Sequence, residues 1–512
     1  MLLVLVCIIT ILIYSKRFQI FQNVPPGPLA NYIPYIGYLP FINPKRPEQT
    51  FTKLSKKYGK IFSVQMGSIY AVVLTDAALI REAFKQDELS GRAPLAVTHG
   101  IFFGHGLICT EGKFWKDQRG LATKFLRDMG MIKFGPKRNA MQNRIVEGIK
   151  LALAELFRLP SQEVNAFHIL ENTVGNIVND FVFGVTYEWD DKTWQRIKYL
   201  QEEGVKLVGV SAGANFLPIL RFVHSSRLHH VTHDMCQENS FLPDNRKNMD
   251  FLLTGIEQTH KVYDGIVDKC EATLDTPDHR DSILSKYLQE KRDREIRKDE
   301  LAVNCSKKQL NYFLADLFGA SLDTTLSTLR WYFLFIAKHS EVQKKVFQEM
   351  KSYGLQGEYL LEDIEHFNYL KASIAEIQRL KTVTPCGIPH GNPNESTTLG
   401  GFHIPKNTMV MSLLYAVHMD ENVWDKPQEY NPDRFIDSDG HFFTPPQFIP
   451  FQTGKRMCPG EELAKMILTL FISNIILNFE IRFGQGVDEM DLYGVPGLTL
   501  SPPDHKLIFV RR

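Results

Sequence analysis

The sequence predicts a mainly α-helical domain with a small β subdomain. Two apolar stretches and one alternating segment carry that reading. Leu310 to Ala337 is nearly all apolar over roughly seven turns, too long for a strand, and belongs in the middle of a large core. Leu463 to Phe479 is a second apolar helix, with Glu461 and Glu462 in a first turn that favours carboxylates and Cys458-Pro459-Gly460 just before it. Phe62 to Leu74 alternates apolar and small polar residues around Gly67-Ser68, which is the pattern of a β-hairpin.

The chain begins with a membrane signal. Met1 to Tyr14 is apolar apart from Thr10, and Ser15-Lys16-Arg17 follows at once. The apolar run alone spans roughly 20 Å, less than the roughly 30 Å hydrocarbon core, which is the length of a cleaved signal peptide. The flanks favour an uncleaved anchor instead. The positive charges follow the apolar run, no small-residue cleavage site succeeds them, and Pro25-Pro26-Gly27-Pro28 forms a stiff spacer. Residues 1–22 are expected to be the anchor, 23–50 the proline-rich spacer and entry segment, and 51–512 the main domain, which the positive-inside rule places in the cytosol. The Pro and Gly clusters from Pro385 to Pro405 read as short strands and turns, and no repeat or second domain boundary appears.

Composition excludes several functions. With 44% hydrophobic and 23% charged residues, the 512-residue chain can bury a sizeable core. Lysine plus arginine, 59, nearly balance aspartate plus glutamate, 58, so no overall field favours nucleic acid. Seven scattered cysteines, odd in number and without a close C-x-x-C pair, argue against a disulfide framework or zinc ribbon and for a reduced, cytosol-facing compartment. The mixed-charge run from Lys286 to Glu300 reads as a solvated helix or loop. His229 and His233 stand four apart, but no third metal ligand is evident, and with His224 and His230 they read as a polar, solvated segment.

The segment from Phe451 to Gly460, F-Q-T-G-K-R-M-C-P-G, fits F-x-x-G-x-R-x-C-x-G, with Leu463-Ala464 continuing it. Five such fixed positions would arise by composition on the order of once in ten thousand chains of this length. Through this segment the chain resembles the cytochrome P-450 superfamily, over nearly all of its length after the anchor. The resemblance implies a P-450 fold, with haem b (iron protoporphyrin IX) between the long central helix and the cysteine loop, and Cys458 as iron ligand. The residues suit that chemistry. Backbone N–H groups and the following helix N-terminus stabilise a thiolate, Arg456 can pair with a haem propionate, and a thiolate ligand favours O–O cleavage.

Other residues match the family's pattern. Glu376 and Arg379 share a helix face three residues apart, alone no more than a surface ion pair. Joined by Arg434 of Asn431-Pro432-Asp433-Arg434-Phe435, they imply the family's buried Glu-Arg-Arg network. Trp115 and Arg119, four apart, resemble the W-x-x-x-R whose side chains bind propionates, a cation resting on the indole being the alternative. His390 matches a further propionate position, or is an ordinary strand-edge histidine. Gly319 to Thr325 resembles the oxygen-activating A-G-x-D/E-T-T, which makes Thr324 the relay residue and Asp323 its proton supplier; the alternative is a threonine back-bonded within a packed helix. Ser321 departs from the usual glycine and puts the width of the oxygen groove in question.

Lys113 to Arg138 holds eight basic residues against Asp117 and Asp128, where the family docks its flavoprotein reductase. The resemblance implies an NADPH-dependent reductase as partner, with cytochrome b5 as a second, dioxygen as co-substrate and the endoplasmic reticulum membrane as location. Thr98–Gly106, Ala315–Ala320, Val383–Ile388 and Gly497-Leu498-Thr499 would face a lipophilic substrate, and Phe216 to Val223 the membrane surface. Gly91-Arg92-Ala93-Pro94, Leu126 to Gly130 and Leu314 to Ala320 further resemble arthropod ecdysteroid-synthesising hydroxylases, which implies hydroxylation of a steroid-hormone precursor, at carbon 25 as the specific reading. Two alternatives stand beside monooxygenation: an isomerase or dehydratase working without external electrons, and a non-enzymatic haem sensor or carrier.

Overall fold

The computed structural model describes residues 23–159, 163–208, 215–217, 245–276, 279–354, 357–484 and 492–512. Its longer helices are α1 (Pro47–Tyr58), α2 (Ala77–Lys85), α3 (Gly112–Asp128), α4 (Pro136–Arg158), α5 (Ala166–Phe183) and α6 (Lys192–Val208). They continue with α7 (Asn245–Thr273), α8 (Ile283–Arg297), α9 (Lys307–Lys338), α10 (Ser340–Ser352), α11 (Asn368–Leu380) and α12 (Glu461–Asn478). The two apolar helices expected from sequence are α9 and α12. Ser306 caps α9 by accepting the Gln309 N–H, so the helix starts three residues before its apolar stripe. Leu314, Leu329, Trp331, Tyr332 and Ile336 have no appreciable exposure. Such all-round burial makes α9 the axis of the core, packed against α5, α7, α8, α11 and α12.

The expected hairpin is β1 (Ile61–Met66) paired antiparallel with β2 (Ile69–Leu74). Gly67 takes φ +57 at the turn, where its lack of a Cβ removes the strain. Three further strands extend this sheet: β7 (Met409–Ser412) runs parallel to β2, and β4 (His390–Gly391) joins β7 to β3 (Gly91–Arg92). The register sets Arg92 opposite His390. Between β4 and β7 lie β5 (Thr397–Leu399) and β6 (Phe402–Ile404), the expected strands and turns of the Pro and Gly clusters. The proline segment is docked on the sheet: Ser63 donates its N–H to the Pro26 carbonyl at 2.7 Å and its hydroxyl to Pro25 at 2.8 Å.

Two expectations change. The charged run forms α8, but it is not all solvated: Arg294 is 5% exposed and ion-paired with Asp117 of α3 at 2.8 Å and Glu290 at 3.0 Å. Period alone could not reveal a partner 177 residues away. Phe216 is buried, and its carbonyl accepts from Ser68, so this part of the expected membrane-facing segment packs into protein. The anchor residues 1–22, residues 218–223 and His224, His229, His230 and His233 lie outside the described residues. Among the described residues no helix is long and apolar enough to cross a membrane.

Replacing Arg294 with Ala takes the bidentate cation from half-buried Asp117, which among the described residues keeps only Asn304 and Gln118 as side-chain donors, and one of three cations from Glu290, at a cost of roughly 1–3 kcal/mol. The thermal midpoint of Arg294→Ala should fall by several degrees, whereas removing the exposed Arg297 should leave it within about a degree, as expected of surface substitutions.

Candidate active site

Cys458 lies three residues before the first residue of α12, with Gly460 at the helix N-cap. The sulfur is half-buried and held from several sides. Cys458 N–H donates to the Phe451 carbonyl at 3.0 Å, which ties off the loop. Gly454 adopts φ +80 directly against the Phe84 carbonyl, where any side chain would collide, and Lys455 N–H bonds that same carbonyl at 3.0 Å. Burial raises the Cys458 thiol above its ordinary range, opposed by the Gly460 N–H and the Arg119 guanidinium. Those opposing groups favour the thiolate, the form that a metal would select.

Beneath this loop the expected carboxylate network is assembled. Glu376 and Arg379 on α11 are fully buried and doubly bonded at 2.7 and 2.8 Å, and Arg434 reaches Glu376 at 3.2 Å. The Asn431 N–H also donates to the carboxylate, at 2.9 Å. Arg379 spends its other donors on the carbonyls of His418 and Pro427.

A cluster of cations occupies the opposite side of the loop. Arg456 stacks on Trp115, 4.2 Å from the ring centroid, and donates to the carbonyls of Ser90, Ile108 and Thr110. The cation on the indole is therefore Arg456, not the same-helix Arg119, which bonds the Met457 carbonyl at 2.5 Å. Arg92 shares the Ile108 carbonyl with Arg456. Burial lowers all three arginines, Arg92 to about 10 and Arg456 to about 8, with repulsion from Arg92 and Arg119 adding to the fall at Arg456 and a smaller push from Arg119 at Arg92. His390 donates Nδ1–H to the Leu89 carbonyl at 2.9 Å and stacks on Phe84, leaving Nε2 for a further partner. Burial first, then Arg92, hold its pKa well below the ordinary value, so the ring is neutral.

Buried Arg92 and Arg456, with half-buried Arg119, outnumber Glu111 and Asp316 and leave a local excess of positive charge, which is costly without an anion. Trp115, 5% exposed, has an indole N–H with no acceptor among the described residues. These groups fit a cofactor bearing two carboxylates. Arg92 belongs to that set although its role was not read from the sequence; the one signal was an arginine between apolar neighbours in Gly91-Arg92-Ala93-Pro94.

On α9, Thr324 donates its hydroxyl to the Ala320 carbonyl at 2.7 Å, the back-bonded arrangement. Asp323 does not contact Thr324; it accepts from Thr499 at 2.7 Å. Burial raises Asp323 to about 6, with Thr499 pulling it down and Glu202 pushing it up. Asp323 lines a cavity of about 140 Å³ with Glu171, Lys198, Gln201, Glu202 and Thr499. Two turns earlier, Asp316 accepts the N–H groups of Leu107 and Ile108 at 2.6 and 2.7 Å, clamping the loop that receives Arg92 and Arg456.

A long buried helix, a cysteine loop at a second helix's N-terminus and a cationic cradle between them define a haem-thiolate protein. The profile of the family described as Cytochrome P450 matches residues 25–509, and the chain belongs to that family. It is 36% identical to Cytochrome P450 306a1 of Drosophila melanogaster, over 95% of this chain and 89% of that protein. It is 30% identical to Cytochrome P450 18a1 of the same fly, covering 99% and 91%, and 31% identical to Cytochrome P450 2K6 of Danio rerio, covering 94% and 90%. Members are monooxygenases that carry haem b and use a redox partner, dioxygen and a small-molecule substrate.

Glu376→Gln removes the charge that both arginines compensate, leaving fully buried Arg379 and half-buried Arg434 with backbone carbonyls alone. Purified Glu376→Gln should carry less than about a tenth of the wild-type haem, as measured by haem extraction, since breaking a buried charge pair costs roughly 3–5 kcal/mol.

Proposed function

We propose that the chain is a membrane-anchored haem-thiolate monooxygenase that hydroxylates a lipophilic steroid-hormone precursor, with ecdysteroid 25-hydroxylation as the specific reaction. The observation that carries the monooxygenase reading is a carboxyl and a hydroxyl, Asp323 and Thr324, side by side in an apolar helix, the carboxyl poised near 6. An isomerase working without external electrons has no need of such a proton store. Haem held by Cys458 would supply dioxygen activation and transfer of one oxygen atom to a C–H bond. The chain's own residues do the rest. Asp323, its carboxyl raised to about 6, takes up and gives back a proton, and Thr324, once its hydroxyl leaves the Ala320 carbonyl, passes a proton from its Oγ1 through water. Trp115, Arg119, Arg456 and His390, with Arg92, orient the cofactor by its carboxylates.

The substrate class rests on the resemblance of residues 91–94, 126–130 and 314–320 to ecdysteroid-synthesising hydroxylases. Membrane attachment is supported by the apolar Met1–Tyr14 run and by Leu29, Tyr35 and Phe41, exposed just downstream. Those features fit the endoplasmic reticulum membrane, with the catalytic domain in the cytosol. An NADPH-dependent flavoprotein reductase, with cytochrome b5 as a second donor, would dock on the basic segment Lys113–Arg138. There Lys116, Lys124, Lys137 and Arg138 have acidic partners, while Lys113, Arg127 and Lys133 have no ion pair among the described residues.

Reconstituted with reductase and ecdysteroid precursors, the enzyme should hydroxylate at carbon 25; turnover without reductase, or no steroid product, would reject the assignment. Thr324→Ala should divert most reducing equivalents to hydrogen peroxide and lower coupling by roughly tenfold or more, within the range for loss of a general acid. In infrared titration the Asp323 carbonyl band should fade around pH 6 and vanish in Asp323→Asn. Thr499→Val removes a bond to the charged form, so the midpoint should move up.

A further inference from the structure

We propose that His418 is a positioning residue for the cysteine loop, joining the buried Glu376 network to the stretch of chain that carries Cys458; the inference rests on Cys458 being the thiolate ligand. His418 ends the short helix Leu414–His418 and has no exposure to solvent. Its backbone carbonyl accepts Arg379 at 2.7 Å, so its main chain already belongs to the network. Its ring reaches the other way. Nε2 lies 3.1 Å from the N–H of Ile449, and a backbone N–H can only donate, so Nε2 carries a lone pair. The proton is then on Nδ1, which donates to Thr382 Oγ1 at 2.8 Å, and Thr382 passes its own proton to the Arg379 carbonyl at 2.9 Å. Both ring nitrogens are used, and the tautomer is fixed by its neighbours.

Ile449 is where the cysteine loop begins. Its carbonyl accepts the Gln452 N–H at 3.0 Å; Gln452, in a left-handed conformation at φ +65, is anchored to Ser412 at 2.6 Å. The intervening Phe451 supplies the carbonyl that holds Cys458 N–H. Among the described residues no other hydrogen bond joins the Glu376 network to residues 449–458. Without the imidazole acceptor the buried Ile449 N–H is orphaned, and the loop is free to shift relative to α12. The consequence falls on the sulfur's position, not on the bulk of the fold.

The test compares His418→Gln, whose carbonyl can reach Ile449, with His418→Phe, which keeps the ring volume beside Phe448 but offers no acceptor. Both are made in the full, haem-loaded chain. Haem content and thermal midpoint are recorded beside the lifetime of the red-shifted Soret band of the reduced, carbon-monoxide-bound form. His418→Phe should lose that band about tenfold faster than wild type at equal haem content, the scale of one orphaned buried donor. His418→Gln should stay within about threefold of wild type, since the acceptor is restored. Equal lifetimes in His418→Phe and wild type, or equally rapid loss in both variants, would overturn the proposal. Should His418→Phe not fold, His418→Asn, too short to reach Ile449, replaces it with the same expectation. A wild type without a red-shifted band would instead remove the thiolate reading on which the proposal stands.

Discussion

Glu376 is a carboxylate removed completely from water, and such a group is tolerated only while its oxygens are saturated with donors. That requirement organises the cysteine side of the molecule. Arg379 comes from the same helix, but Arg434 and the Asn431 N–H come from more than fifty residues downstream, so satisfying the charge folds that segment under α11. Arg379 in turn fixes the carbonyls of His418 and Pro427. A surface ion pair of the same composition would contribute little. Buried, it is too costly to break and therefore holds a geometry.

The other side of the loop has the opposite electrostatics. Arg92, Arg119 and Arg456 converge on backbone carbonyls that neutralise hydrogen-bonding needs but not charge. An anionic cofactor relieves that excess, so cofactor binding and stability of this region are linked: the ligand that binds only the folded form stabilises it. The two halves differ in kind. Below the loop the protein supplies both signs of charge, and above it the cofactor supplies one of them.

Much of this was legible in the chain. The axis helix declared itself because burial on all sides demands apolar residues throughout, and the cysteine loop because a thiolate beside a flat macrocycle tolerates few alternatives at several close positions. Spacing alone showed Glu376 and Arg379 as an i, i+3 pair; their burial followed only from the family resemblance, because it depends on residues 426–434. The same limit hid Arg294, whose partner Asp117 sits on another helix, and Thr499, which takes the Asp323 carboxylate away from its sequence neighbour. Arg92 and His390 meet only through strand register. Local periodicity reports which face of an element is apolar, whereas these contacts are set by topology.

The central claim is that Cys458 binds haem iron as a thiolate. Its most direct test is the absorption spectrum of the dithionite-reduced, carbon-monoxide-bound full chain in detergent, beside Cys458→His. A strongly red-shifted Soret band in the wild type, replaced in the variant by an imidazole-type band, is the predicted result. An imidazole-type band in the wild type, or properly folded protein that takes up no haem, would contradict the account.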